Sequence, residues 1–184
     1  MSHVKKAAIT AMCIALCCVL PPVFHAVGLG GAFSPMHVPV LLCGLVCGPL
    51  FGLFCGLAGP VLSSLITSMP APLQLLWMAP ELMVYGLAAG LCYQTIRTGK
   101  TLLDVYGSLL AAMVLGRVAG GAARWLYCLA AKQPYSLSLW AGAYVTQSLP
   151  GMALHLVLVP TLLLVLYRAG LIPPKYPKEV STHG

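Results

Sequence analysis

The chain has 184 residues, of which 60% are hydrophobic and only 7% charged, with a mean hydropathy of +0.94. Soluble domains carry about a quarter of their residues as charges, so the bilayer must be the solvent for most of this chain. The net charge of +7 does not point to nucleic acid, because the basic residues stand at the ends of apolar runs and form no patch.

A membrane helix needs about 20 apolar residues. The length therefore predicts a single all-α membrane domain of six spans with short loops and no separate soluble module. Span 1 is expected at about 7–23, closing near Pro21-Pro22. Lys5 and Lys6 precede it as in a signal peptide, but the chain stays apolar to Arg168 with no small-x-small cleavage site, so a retained span is expected. A Gly-rich loop, HAVGLGGAFSPM, covers 25–36. The apolar run 37–67 is too long for one span. Proline cannot continue a helical ladder, so Gly48-Pro49 divides the run into a short span at 37–48 and another at 49–67. The turn SMPAP leads to a span at 73–96, a basic turn at 97–100, a long span at 101–131, a loop at 132–138 and a last span at 139–167. A basic, Pro-rich tail occupies 168–184.

Six spans put both termini on one side. That side would hold Lys5, Lys6, Arg97, Lys100, Arg168, Lys175 and Lys178, against Lys132 alone on the other. The bias predicts cytoplasmic termini. Small residues recur every fourth position: Ala7, Ala11 and Ala15; Gly44, Gly48, Gly52 and Gly56; Gly86 and Gly90; Gly116 and Gly120. Such spacing lets helix backbones approach closely in lipid. The glycine stripes are expected to pack within the bundle. The alanine stripe could face either lipid or another subunit.

Glu81, Arg117 and Arg124 are the costly ionisable groups expected deep in spans, where charge marks a site or a structural pair. Counted from the outer loops, Glu81, Arg124 and Gln147 fall in one layer about 10–12 Å below the outer surface. Trp77 and Tyr85 share a face with Glu81, and Trp140, Tyr144 and Gln147 line up on the last span. His37 adds a polar group from the outer loop. An aromatic-walled cavity with a few polar groups suits a small polar ligand. Pairing of Glu81 with either arginine could equally be structural. Two arginines against one glutamate leave a positive surplus that would suit a carboxylate or phosphate.

Other chemistry is weak. The eight cysteines lie in apolar runs without metal-ligand spacing, so neither metal nor disulfides are expected. Thr98-Gly99-Lys100-Thr101 contains the tail of a phosphate loop, but its leading glycine position is Gln94, so the chain is not expected to bind ATP itself. Ser148 and His155 share a helix face, yet Ser148 has no nucleophile elbow and Pro150 lies between them, so an enzyme is not expected.

In order along the chain stand AAITAMCIAL, PPVFHAVGLGGAFSPMHVPVLLCGLVCGP, LSSLITSMPAP, ELMVYGLAAGL, GRVAGG and SLPGMALHLVLVP. With the span count, this series resembles the substrate-binding S components of energy-coupling factor (ECF) vitamin transporters over nearly the whole chain. The resemblance implies a prokaryotic cell-membrane protein that captures a scarce vitamin from outside. It then docks on a membrane T subunit carrying two ATPases, which hydrolyse the ATP, and topples to deliver its ligand inward. Ala7, Ala11 and Ala15 would be the docking motif, the loop at 24–37 a lid, and the layer around Glu81 and Arg117 the binding site. Positive surplus favours an anion such as pantothenate. The Trp and Tyr content equally suits a pyrimidine, a flavin or a queuosine precursor. The competing reading is a self-contained secondary transporter or channel.

Overall fold

In the computed structural model, residues 1–26, 28, 35–134, 136, 142, 149–173 and 175–176 are described, and the elements among them are helical. They are α1 (His3–Ala26), α2 (His37–Cys47), α3 (Pro49–Thr67), α4 (Pro72–Thr95), α5 (Thr101–Ala130) and α6 (Leu149–Arg168). Five are long and apolar enough to cross a membrane; α2, with 11 residues, is the exception. The end carrying Lys5, Lys6, Arg97, Lys100 and Arg168 is called inner, following the charge bias.

Burial explains why α2 can be short. It is apolar on every side, and every residue except Val46 is buried. A helix apolar all round belongs inside a bundle, and α2 packs against α1, α3, α4 and α6. It ends at Gly48, whose φ of 99° and ψ of 176° are open essentially to glycine alone. The Gly48 amide still donates to the Gly44 carbonyl at 3.0 Å, closing α2, and Pro49 starts α3 where a missing N–H costs nothing.

Helix α4 is the centre, packed against α2, α3 and α5. Its approach to α2 and α3 is backbone to backbone. A Cβ on Gly86 would strike the Gly52 carbonyl; Cβ atoms on Gly44 and Gly52 would strike that of Gly86, and one on Gly56 that of Leu82. One turn further in, a Cβ on Gly90 would lie 2.5 Å from the Pro49 nitrogen. The glycine stripes thus pack within the bundle. Helix α1 lies at the side and buries Thr10, Cys13, Cys17 and Pro21, a single face. Thiols reinforce its seam with α2: Cys47 donates to the Lys6 carbonyl at 3.5 Å and Cys17 to that of Met36 at 3.8 Å. All eight cysteines are free.

The inner end is tied by a buried ion pair. Asp104, in the first turn of α5, is fully buried. Its Oδ1 accepts from the Thr98 amide at 2.9 Å and hydroxyl at 2.6 Å, and its Oδ2 from Tyr176 at 2.7 Å and Lys175 at 2.6 Å. Lys175 Nζ also donates to the carbonyls of Tyr93 and Ile96, each at 2.5 Å, at the C-terminal end of α4. Those carbonyls lack helical partners, and an ammonium has three protons to give. One lysine therefore satisfies α4 and neutralises α5 together. Beside it, the Tyr93 and Tyr167 hydroxyls bond at 2.5 Å, joining α4 to α6, and Ile172 packs into the core.

Two outcomes follow. Gly86→Ala forces a Cβ into backbone and should cost about 1–3 kcal/mol, whereas Gly107→Ala meets a side-chain atom at 3.4 Å and should be near neutral. Thermal unfolding in detergent compares the two. Lys175→Met leaves a buried carboxylate uncompensated and should cost about 3–5 kcal/mol; adding Asp104→Asn should recover most of that loss in the same assay.

Candidate functional site

Helices α4 and α5 run antiparallel, and their facing residues form a ladder. Tyr85 lies against Gly116, where a Cβ would come within 2.7 Å of its ring. One turn outward, Glu81 lies against Gly120, where a Cβ would come within 2.6 Å of the carboxylate. Another turn outward, Trp77 carries the Arg124 guanidinium 5.2 Å from its ring centre and packs on Tyr127 at 5.5 Å. The i, i+4 spacing of Trp77, Glu81 and Tyr85 and the glycines opposite make this ladder possible.

Glu81 is the electrostatic centre. Its Oε1 accepts from Arg117 Nη1 at 3.1 Å and lies 3.6 Å from His37 Nε2. His37 meets Tyr85 edge-on at 4.9 Å and stacks on His155 of α6 at 5.4 Å. Glu81, His37, Tyr85 and His155 are each 1–4% exposed. Groups from α2 and α5 thus meet the Glu81 carboxylate of α4, and α6 joins the cluster through His155 on the His37 ring. A charge at this depth is tolerable because it is paired and hydrogen-bonded.

This geometry corrects the single polar layer expected from the sequence. Glu81 is level with Arg117 and Gly120, while Arg124 lies about a turn further out beside Trp77. Counting from the loops treats the outer helix ends as flush. Glu81 is nine residues into α4, whereas Arg124 is six residues from the end of α5, and three residues are about 4.5 Å. Of the expected site residues, His37, Glu81, Tyr85 and Arg117 come together, and Trp77 and Arg124 form a second pair. Tyr144 and Gln147, with Trp140 and Ser148, lie outside the described residues, as do positions 27 and 29–34 of the expected lid. His155, weighed from the sequence only as a helix-face neighbour of Ser148, belongs to the buried cluster; its signal is an imidazole inside an otherwise apolar span.

A cavity of about 340 Å³ opens at the outer end, between the end of α1, Pro35-Met36, the turn after α3 and the start of α4. Met36, Met69 and Met78 line it, together with His25, Ser68 and Gln74. The turn is held from beneath: Ser63 donates to the Met69 carbonyl at 2.6 Å and Ser64 to that of Pro70 at 2.8 Å. The hydroxyls of LSSLIT therefore fix SMPAP. Methionines carry no pattern that separates lining from packing in a sequence, so this wall was not foreseen. On α1, Ala7, Ala11 and Ala15 are exposed, away from the face that packs on α2 and α3.

Removing Arg117 leaves Glu81 with a large deficit, so Arg117→Ala should cost about 3–5 kcal/mol. Arg124→Ala loses a ring contact and should cost about 0.5–2 kcal/mol. Melting temperatures of the two purified variants test this ranking.

A family model described as ECF transporter, substrate-specific component, matches residues 5–163. No curated protein and no solved structure matches the chain.

Proposed function

The chain belongs to the substrate-specific components of ECF transporters, integral proteins of the cell membrane that bind a small-molecule substrate and work with T and ATPase subunits, and from that premise we propose that it captures a small water-soluble vitamin or related micronutrient at its outer face with high affinity. The observation that carries this reading is the outer cavity next to a rigid, paired charge cluster: Met36 lines the cavity, and His37, the next residue, reaches Glu81. Pockets of this size are typical of small-ligand sites. A fixed outer wall reduces the ordering cost of binding, which favours high affinity for a scarce solute.

Energy comes from partners. The chain has no complete phosphate loop, so ATP is hydrolysed by the two ATPase subunits and reaches this chain as movement. Docking on the T subunit uses α1, whose exposed Ala7, Ala11 and Ala15 let a second helix approach closely. The outer half carries Arg117 and Arg124 against Glu81, and that excess of positive charge supports an anionic ligand such as pantothenate. Trp77 and the neighbouring tyrosines support a ring-bearing ligand instead.

The solitary chain in liposomes should bind tritiated pantothenate or a ring-bearing vitamin without accumulating it, and ATP-driven uptake should appear only with T and ATPase subunits. Gradient-driven uptake by the chain alone would mean a secondary transporter. Ala11→Trp should leave binding intact and abolish co-purification with the T subunit. Arg124→Ala should weaken binding far more than it lowers stability; unchanged affinity in the folded variant removes Arg124 from the site.

A further inference from the structure

The outer cavity has a chemical character of its own. Among the described residues, no Asp, Glu, Lys or Arg lines it. An ionised carboxylate placed there would lose its hydration without gaining a counter-ion, a costly exchange. Three thioethers from separate segments line it instead: Met36 ahead of α2, Met69 in the turn after α3, and Met78 on α4. Thioether sulfur is soft and polarisable and gains most from the faces and edges of aromatic rings.

The polar groups supply both donors and acceptors. His25 holds its Nδ1 3.0 Å from the Pro21 carbonyl, which can only accept. Nδ1 therefore carries the proton, and in the neutral ring Nε2 is left as an acceptor. Gln74 offers both an amide N–H and a carbonyl, and Ser68 a hydroxyl that gives or takes. A mixed set of this kind complements the alternating N–H and C=O or ring-nitrogen edge of a nitrogen heterocycle. A plain hydrocarbon would leave these groups unanswered.

The seat is also preorganised. Met36 is 2% exposed and its carbonyl accepts from Cys17. Met69 sits on the turn bonded to Ser63 and Thr67. With about 340 Å³, the space is at the small end of ligand pockets and suits a compact ring system.

We propose that this cavity seats a neutral, nitrogen-containing heteroaromatic ring, held between Met36, Met69 and Met78 and read at its edge by His25, Ser68 and Gln74. The assignment rests on the reading of the chain as a small-molecule capture subunit, and it sharpens the substrate class: the ring is the recognised part, and any anionic group lies outside the cavity.

The test uses the full chain in detergent, titrated calorimetrically with hydroxymethylpyrimidine, riboflavin and queuine as ring probes and pantothenate as the ringless anion. At least one ring probe should bind, and pantothenate should not displace it. Met78→Ala and Met69→Ala should each weaken that probe at least tenfold, and Met78→Leu, which keeps the volume without the sulfur, should weaken it several-fold in a chain that melts like the parent. Binding of pantothenate alone, binding of none of the three rings, or ring binding unchanged in the methionine variants overturns the assignment. Co-purification with the T subunit from the same preparations reports separately on the parent reading: a chain that assembles yet prefers pantothenate sinks the ring seat and leaves the capture role standing.

Discussion

Gly86 and Gly52 meet backbone against backbone, closely enough that a methyl group on either would strike the other helix. That contact lets α4 sit among α2, α3 and α5, because any side chain there would hold the helices apart. Water supplies no drive for helices to associate inside a bilayer, so close packing has to do so. Once α4 is central, its Glu81 cannot reach lipid or water and must find partners on its neighbours. The cluster of Glu81, Arg117, His37 and His155 is thus a consequence of glycine packing little more than a turn away, and it fixes the four helices around it in turn.

The two polar regions of the outer half have different work. The Glu81 cluster is buried and internally paired; it sets the relative positions of α2, α4, α5 and α6. The cavity beside it is open and, among the described residues, lined by no Asp, Glu, Lys or Arg. Separating a stiff charged frame from the cavity means that the cavity lining can change without disturbing the frame, since methionines can be exchanged at modest cost to packing. Arg124, on the Trp77 ring and half-buried, stands between the two regimes.

Much of this was legible in the residues. Apolar run lengths mark the helices, and Gly48-Pro49 marks the break between α2 and α3 because one residue tolerates a left-handed φ and the other cannot donate. The face of α4 bearing Trp77, Glu81 and Tyr85 follows from helical spacing, and a pairing of Glu81 with Arg117 or Arg124 follows from the scarcity of carboxylates; only the structure selects Arg117. The vertical match between α4 and α5 was not legible, because loop ends do not tell how far each helix protrudes; hence Arg124 is a turn from its expected level. Asp104 was also passed over. Its burial depends on Thr98, Lys175 and Tyr176 folding over it, and nothing local to its own segment announces that. The methionine seat was illegible for a plainer reason: methionine is common packing material.

The Asp104–Lys175 tie has a bearing on how the protein is made. A ribosome delivers α4 and α5 long before it delivers Lys175, so α5 enters the membrane with a carboxylate that has no counter-ion and α4 with end carbonyls that have no donor. Both groups must keep water until the segment after α6 arrives. The inner end of the bundle is therefore the last part to dry, and a nascent chain interrupted before Lys175 carries a hydrated acidic notch at that end. A protease or insertase that inspects membrane proteins for exposed polar groups would find its mark there.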